Sequence, residues 1–170
     1  MAGKGAVFEE EDGMTPLEPV QREGIMRRLA FIDQEMGDLA AYDDLDRARY
    51  ETDRAARRNV ERMAENVVNA AIDVAKILGA GENLELPATY REAFLQLARA
   101  GLISEELGNE LAHLARARNV LAHHYLDMKW DLIHRFLGDG RSAVADFVTA
   151  IRAYLDTAEK HSVGDGNSGK

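Results

Sequence analysis

The stretch Val60-Glu61-Arg62-Met63-Ala64-Glu65-Asn66-Val67-Val68-Asn69-Ala70-Ala71-Ile72-Asp73-Val74-Ala75-Lys76-Ile77-Leu78 decides the fold class. Within it Val60, Met63, Ala64, Val67, Val68, Ala71, Val74, Ala75 and Leu78 recur at steps that place side chains on one face of a 3.6-residue helix. Arg62, Asn66, Asn69 and Asp73 make a second stripe on the opposite side. A solvated helix face is normally built from Glu and Lys. A line of amides ending in an acid reads either as a merely exposed face or as a half-buried one bonded to a neighbouring element.

The same period extends in both directions. Upstream, Ile25, Leu29, Ile32, Met36 and Leu39 predict an amphipathic helix that begins after Pro19 and fades near Tyr42 and Asp43. Asp43 to Asp46 is a break with capping potential, so the second helix is predicted over about 46–78. Gly79 and Gly81 are placed to end it. Thr89-Tyr90-Arg91-Glu92 has capping-box spacing and opens a short helix that Gly101 stops. Ser104 caps a third long helix, whose packing face is Leu107, Leu111, Leu114 and Ala115. Asp127 can cap a helix through Trp130, Ile133 and Phe136 to Gly138, and Val144, Phe147, Val148, Ile151, Tyr154 and Leu155 mark a last one. No stretch alternates with period two. The expected class is therefore all-α, an up-and-down bundle of about five to six helices joined by short connections. One helical domain is expected over 21–160, after a flexible acidic N-terminal extension over 1–20 and before a disordered Gly-rich tail over 161–170.

Composition narrows the chemistry. With no cysteine among 170 residues there is no disulfide framework and no thiolate nucleophile or ligand. No apolar run approaches the roughly 20 residues that span a bilayer, and Glu9, Glu10, Glu11 and Asp12 give the N-terminus no signal-peptide character, so a cytoplasmic protein without a membrane partner is expected. A formal charge of -9 argues against broad non-specific nucleic-acid binding. Between His113 and His134, however, lie four of the five histidines with Arg116, Arg118 and Lys129, against Asp127 and Asp131. An anionic ligand can be focused there by a protein that repels it elsewhere.

Within that segment, Arg118-Asn119-Val120-Leu121-Ala122-His123-His124-Tyr125 gathers a permanent planar cation, imidazoles and a phenol. Side chains of these kinds are the ones used to hold a phosphate and move protons beside it, although on spacing alone Arg118 reads equally as a solvated helix arginine and Tyr125 as a core-edge aromatic. A straight helix turns about 100° per residue, so Arg118 and Tyr125 point nearly the same way while His123 sits roughly 140° from the arginine. Either the helix deforms near Ala122, or a second copy of the chain completes the site. His124 diverges from His123 and reads as an ordinary helix histidine. With no cysteine and no H-E-x-x-H pattern, no metal site is expected, and Gly79-Ala80-Gly81 lacks the rest of a phosphate-cradling loop.

The spacing R-x4-H-x-Y at Arg118, His123 and Tyr125, with Asn119 after the arginine, resembles the HEPN domains and among them the HepT-like toxins. The likeness runs from about Arg58 to Leu155. It includes E-N-x-x-N-x-x-x-D at Glu65, Asn66, Asn69 and Asp73, P-x-x-Y-R-E-A-F from Pro87 to Phe94, and the helix boundary at Gly101. Arg116 stands where the family often has glycine, and Ala117 where an aromatic is common.

The resemblance implies a metal-independent endoribonuclease without a cofactor, the toxin of a type VII-like toxin–antitoxin system of the HEPN/MNT kind. It implies a homodimer whose motifs meet across the interface. It also implies a minimal, MntA-like nucleotidyltransferase antitoxin that silences the toxin by transferring AMP to the motif tyrosine, Tyr125. On that reading Arg118 binds the scissile phosphate of an RNA substrate, His123 is general base or acid, and Asn119 positions one of them, with Asn66, Asn69 and Asp73 in support. The competing reading is a catalytically silent helical module that binds the nucleotidyltransferase or a nucleotide.

Overall fold

The computed structural model describes residues 17–123 and 129–164, with side chains over 17–120 and 129–159. Every described element is helical: α1 Pro19–Leu39 with a 3-10 turn Ala40–Tyr42, α2 Arg47–Thr52, α3 Arg54–Gly81, α4 Tyr90–Arg99, α5 Glu105–His123, α6 Trp130–Arg135 and α7 Arg141–Gly164. The all-α, up-and-down bundle read from the sequence is the fold. Among the described residues no helix is long and apolar enough to cross a membrane.

Helix α3 is the central post, packed by α1, α4, α5 and α7. Val60, Ala64, Val67, Val68, Ala71, Val74, Ala75 and Leu78 are all buried, as their spacing predicts. They join Ile25, Leu29 and Ile32 of α1, Phe94 and Leu97 of α4 and Phe147 and Ile151 of α7 in one core. Each large aliphatic or aromatic side chain removed from water there contributes roughly 1.5–3 kcal/mol.

Helix α7 runs to Gly164, four residues into the tail expected over 161–170, and three boundaries inside the bundle also differ from the sequence reading. The helix predicted over 46–78 is two helices, because Asp46 and Asp53 each cap one. Asp46 Oδ1 accepts from the Arg49 N–H at 2.7 Å, and Asp53 Oδ1 from those of Ala55 and Ala56 at 3.0 Å. The short α2 between them drives Tyr50 into the core, where its hydroxyl donates to Glu61 and accepts from the Lys129 N–H. The second difference is at the end of α3. Gly79 and Gly81 remain helical, and the residue that turns left-handed is Asn83, at φ 56°.

The third concerns the last helices. Gly138 does not end one: α6 begins at Trp130, with Lys129 in the capping position, and passes through a π-helical turn, Phe136–Gly140, directly into α7. A Cβ on buried Gly140 would lie 3.1 Å from both Leu114 and Phe136, so glycine lets this turn press against α5. The predicted Asp127 cap lies outside the described residues. The Thr89 hydroxyl accepts from Glu92 N–H at 3.1 Å, while the Glu92 carboxylate accepts from Arg99 at 2.6 Å instead of completing the box, and the Ser104 hydroxyl accepts from Leu107 N–H at 3.2 Å. Gly101 stops α4 at φ 72°.

Candidate active site

Arg118 lies near the end of α5, on the flank that meets α3 and α4. Its Nε donates to Oδ1 of Asn69 at 2.7 Å, and its Cζ is 5.4 Å from the ring centroid of Tyr90. Asn69 belongs to the polar stripe of α3, and Tyr90 is the first residue of α4, set in place by the Thr89 cap. The arginine is half-buried, and among the described residues no carboxylate pairs with it and neither Nη has a protein acceptor. A guanidinium fixed through Nε and leaning on a ring presents its remaining donors as a fork matched to two phosphate oxygens.

The stripe divides its labour. Asn66 Nδ2 donates to Oε2 of Glu35 on α1 at 3.2 Å, and Asp73 accepts from Nε of Arg28, also on α1, at 3.2 Å. Asn66 and Asn69 are half-buried and hydrogen-bonded, the second of the two alternatives left by the sequence, whereas Asp73 is exposed. Two members of the stripe fasten α1 and one holds Arg118.

Asn119 sits one residue, about 100°, further round the helix. It is exposed in a different cleft, of about 720 Å³, between α5 and the α6–α7 rod. His113, Arg116, Arg135, Glu110 and Asp139 share that cleft, and Asn119 makes no hydrogen bond to Arg118. Helix α5 runs unbroken across Ala122 as far as His123. The deformation that would bring Arg118 and His123 together within one chain therefore does not occur, and five regular residues leave His123 about 140° from Arg118, near the register of Arg116 and Asn119. The side chain of His123, and His124 and Tyr125 altogether, lie outside the described residues. Among the described residues no group of three or more histidine or acidic side chains converges as metal ligands would.

In the sequence Tyr90 stands inside a capping-box spacing, and the structure sets its ring against Arg118. Its signal was an aromatic at the first turn of a short helix, where 37 % of it stays exposed.

A family model described as "Ribonuclease HepT-like" matches residues 32–151. The "tRNA nuclease HepT" of Aphanizomenon flos-aquae is 25% identical over 149 residues, covering 88% of this chain and 99% of that protein. The "mRNA nuclease HepT" of Shewanella oneidensis is 26% identical over 95 residues, 56% of this chain and 68% of that one. Among solved structures, a tri-AMPylated HEPN toxin of Shewanella oneidensis in complex with an MNT antitoxin superposes with a TM-score of 0.70 at 21% identity, covering 77% of this chain and 98% of the other. The cytosolic protein YutE from Bacillus subtilis, of unknown function, does so at 0.68 and 22%, covering 80% and 91%. These structures share the fold. With a match that runs from within α1 to within α7, over more than half of its length, the chain belongs to the ribonuclease HepT-like family.

Proposed function

We propose that this chain is the toxin of a two-component toxin–antitoxin system and that it cuts RNA without a metal ion. Arg118 binds the scissile phosphate, and His123 is the general base or acid. The observation that carries this reading is the state of Arg118: aimed by Asn69 and Tyr90 and, among the described residues, with no carboxylate partner and no acceptor for either Nη, in a protein of net charge -9. Support comes from relatives called mRNA nuclease and tRNA nuclease, and from the HEPN toxin of the same fold held by an MNT antitoxin.

RNA supplies its own nucleophile, so the protein has to orient, hold charge and move protons. The 2′-hydroxyl gives up its proton to a base while its oxygen bonds to phosphorus; the bond from phosphorus to the 5′ oxygen breaks, and that oxygen takes a proton. The products are a cyclic phosphate, or its hydrolysis product, and a 5′-hydroxyl. Arg118 holds the negative charge that grows on the phosphoryl oxygens.

Because α5 separates Arg118 and His123 by about 140°, the reactive pair is Arg118 of one protomer and His123 of the partner subunit in an isologous homodimer. Asn119, near the register of His123, then positions the histidine rather than the arginine. A minimal nucleotidyltransferase is the antitoxin, and AMP on Tyr125 places a phosphodiester against Arg118 where RNA would lie.

The test is cleavage of total RNA in excess chelator by wild type, by Arg118→Ala, by His123→Ala and by the two variants mixed and refolded together. Each variant alone is expected to be silent. Random pairing makes half the dimers mixed, each with one intact composite site, so about a quarter of wild-type activity returns. Cleavage that needs added metal, or a mixture as silent as its parts, refutes the corresponding half of the proposal. No cleavage of any RNA by wild type leaves the silent interaction module.

A further inference from the structure

The ring that supports Arg118 supports a second cation. Lys76 Nζ lies 4.7 Å from the Tyr90 centroid, against 5.4 Å for Arg118 Cζ. Lys76 follows Asn69 by seven residues, two turns along nearly the same face of α3. Asn69, Arg118, Tyr90 and Lys76 therefore form one continuous strip across α3, α4 and α5. Many of the other arginines are tied to acids, as Arg22 is to Glu159, Arg99 to Glu92 and Arg152 to Asp33. Among the described residues Lys76 has no such partner. Glu85 lines the small pocket beside it but forms no ion pair with it. Among the described residues Arg54, Arg58, Arg91, Arg116 and Arg135 also lack an acid partner, yet no ring joins them to Arg118.

Two like charges held against one ring repel each other in the free protein, and a shared polyanion relieves that repulsion. We infer that Lys76 is a second phosphate-binding residue, set beside Arg118 by the Tyr90 ring, and that it takes the phosphodiester next to the scissile one in a single-stranded RNA. The inference rests on the ribonuclease reading and extends it to the direction of the strand: from the Arg118 site it runs over Tyr90 toward the C-terminal end of α3. Lys76 acts as a binding residue. Its loss weakens capture without touching the proton transfers.

The experiment measures equilibrium binding of a fluorescent, mixed-sequence 2′-O-methyl RNA strand, which cannot be cleaved, against KCl concentration for wild type, Lys76→Ala, Lys76→Arg and Tyr90→Leu. Alongside it, kcat and KM are measured on cleavable RNA. One phosphate contact fewer on a single strand makes the slope of log K against log[KCl] shallower by about 0.7. Lys76→Ala is expected to show that change and to raise KM about tenfold with kcat nearly unchanged, the size of one charge-assisted contact. Lys76→Arg should restore both, and Tyr90→Leu should lose slope as well. Parallel slopes for wild type and Lys76→Ala overturn the inference, as does a loss confined to kcat. The two readings fail separately: RNA cut by wild type and not by Arg118→Ala, with Lys76→Ala unaltered, removes only Lys76, whereas a shallower slope in a protein that cuts no RNA keeps Lys76 as a phosphate contact and removes the nuclease.

Discussion

Replacing Asn69 by alanine removes the acceptor that holds Nε of Arg118 at 2.7 Å and leaves, among the described residues, the Tyr90 ring alone against the guanidinium. A hydrogen bond to a charged group is worth about 1.5–3 kcal/mol, and the half-buried position places this one toward the lower end. If that energy aims the fork at the phosphate, its loss appears as roughly a tenfold to thirtyfold fall in kcat/KM, since about 1.4 kcal/mol corresponds to a factor of ten. Asn66 supplies the internal control. It sits one turn away on the same stripe and is equally half-buried, but its amide goes to Glu35 on α1. Asn66→Ala should therefore lower stability by about 1 kcal/mol and spare cleavage. The assay is steady-state cleavage of one RNA in excess chelator, with the thermal midpoint of each variant measured in parallel. Equal losses of activity in the two variants, or an Asn69→Ala protein as active as wild type, would refute the claim that Asn69 aims Arg118.

His123→Ala should cost about 10² to 10⁴ in rate, the usual worth of a positioned proton-transfer group, at nearly constant melting temperature, while His124→Ala costs far less; equal losses measured on one RNA refute this assignment of roles. Co-expression with a cognate nucleotidyltransferase is expected to add about 329 Da per AMP on a peptide that contains Tyr125, and Tyr125→Phe should escape silencing; intact mass and growth assays check both. Gly108 admits no Cβ, because one would sit 2.7 Å from Ala98, so Gly108→Ala should force α4 and α5 apart and cost about 1–3 kcal/mol in urea unfolding. Burial, and then the hydrogen bonds to Glu61 and Glu82, push the phenols of Tyr50 and Tyr154 well above the ordinary tyrosine value. The folded state thus holds these protons where the unfolded chain releases them. Their contribution is complete below about pH 10 and falls above it by up to about 1.4 kcal/mol per pH unit for each phenol. Urea midpoints on both sides of that pH should show the fall, and Tyr154→Phe should reduce its slope by about half.

Local order was legible because it is encoded locally. Nine apolar residues at helical steps fixed the buried face of α3, and hydroxyls at Thr89 and Ser104 fixed where α4 and α5 begin. The exceptions were decided by competition that spacing does not reveal. At Asp53 a side chain out-bonded the continuing helix, and at Gly138 a π-helical turn absorbed what composition marked as an end. The R-x4-H-x-Y spacing marked Arg118, His123 and Tyr125 as candidates, and helical geometry alone stated the difficulty that Arg118 and His123 diverge. It could not choose between a bent helix and a second copy. Tertiary structure settled the first alternative by keeping α5 regular past Ala122. It also chose the partners of Arg118. Asn69 is 49 residues away along the chain, and nothing in the stripe of Asn66, Asn69 and Asp73 distinguishes the member that meets α5 from the two that meet α1. That choice depends on the angle at which three helices cross α3, a property of the packed core as a whole, whereas sequence period fixes only the face on which each residue stands.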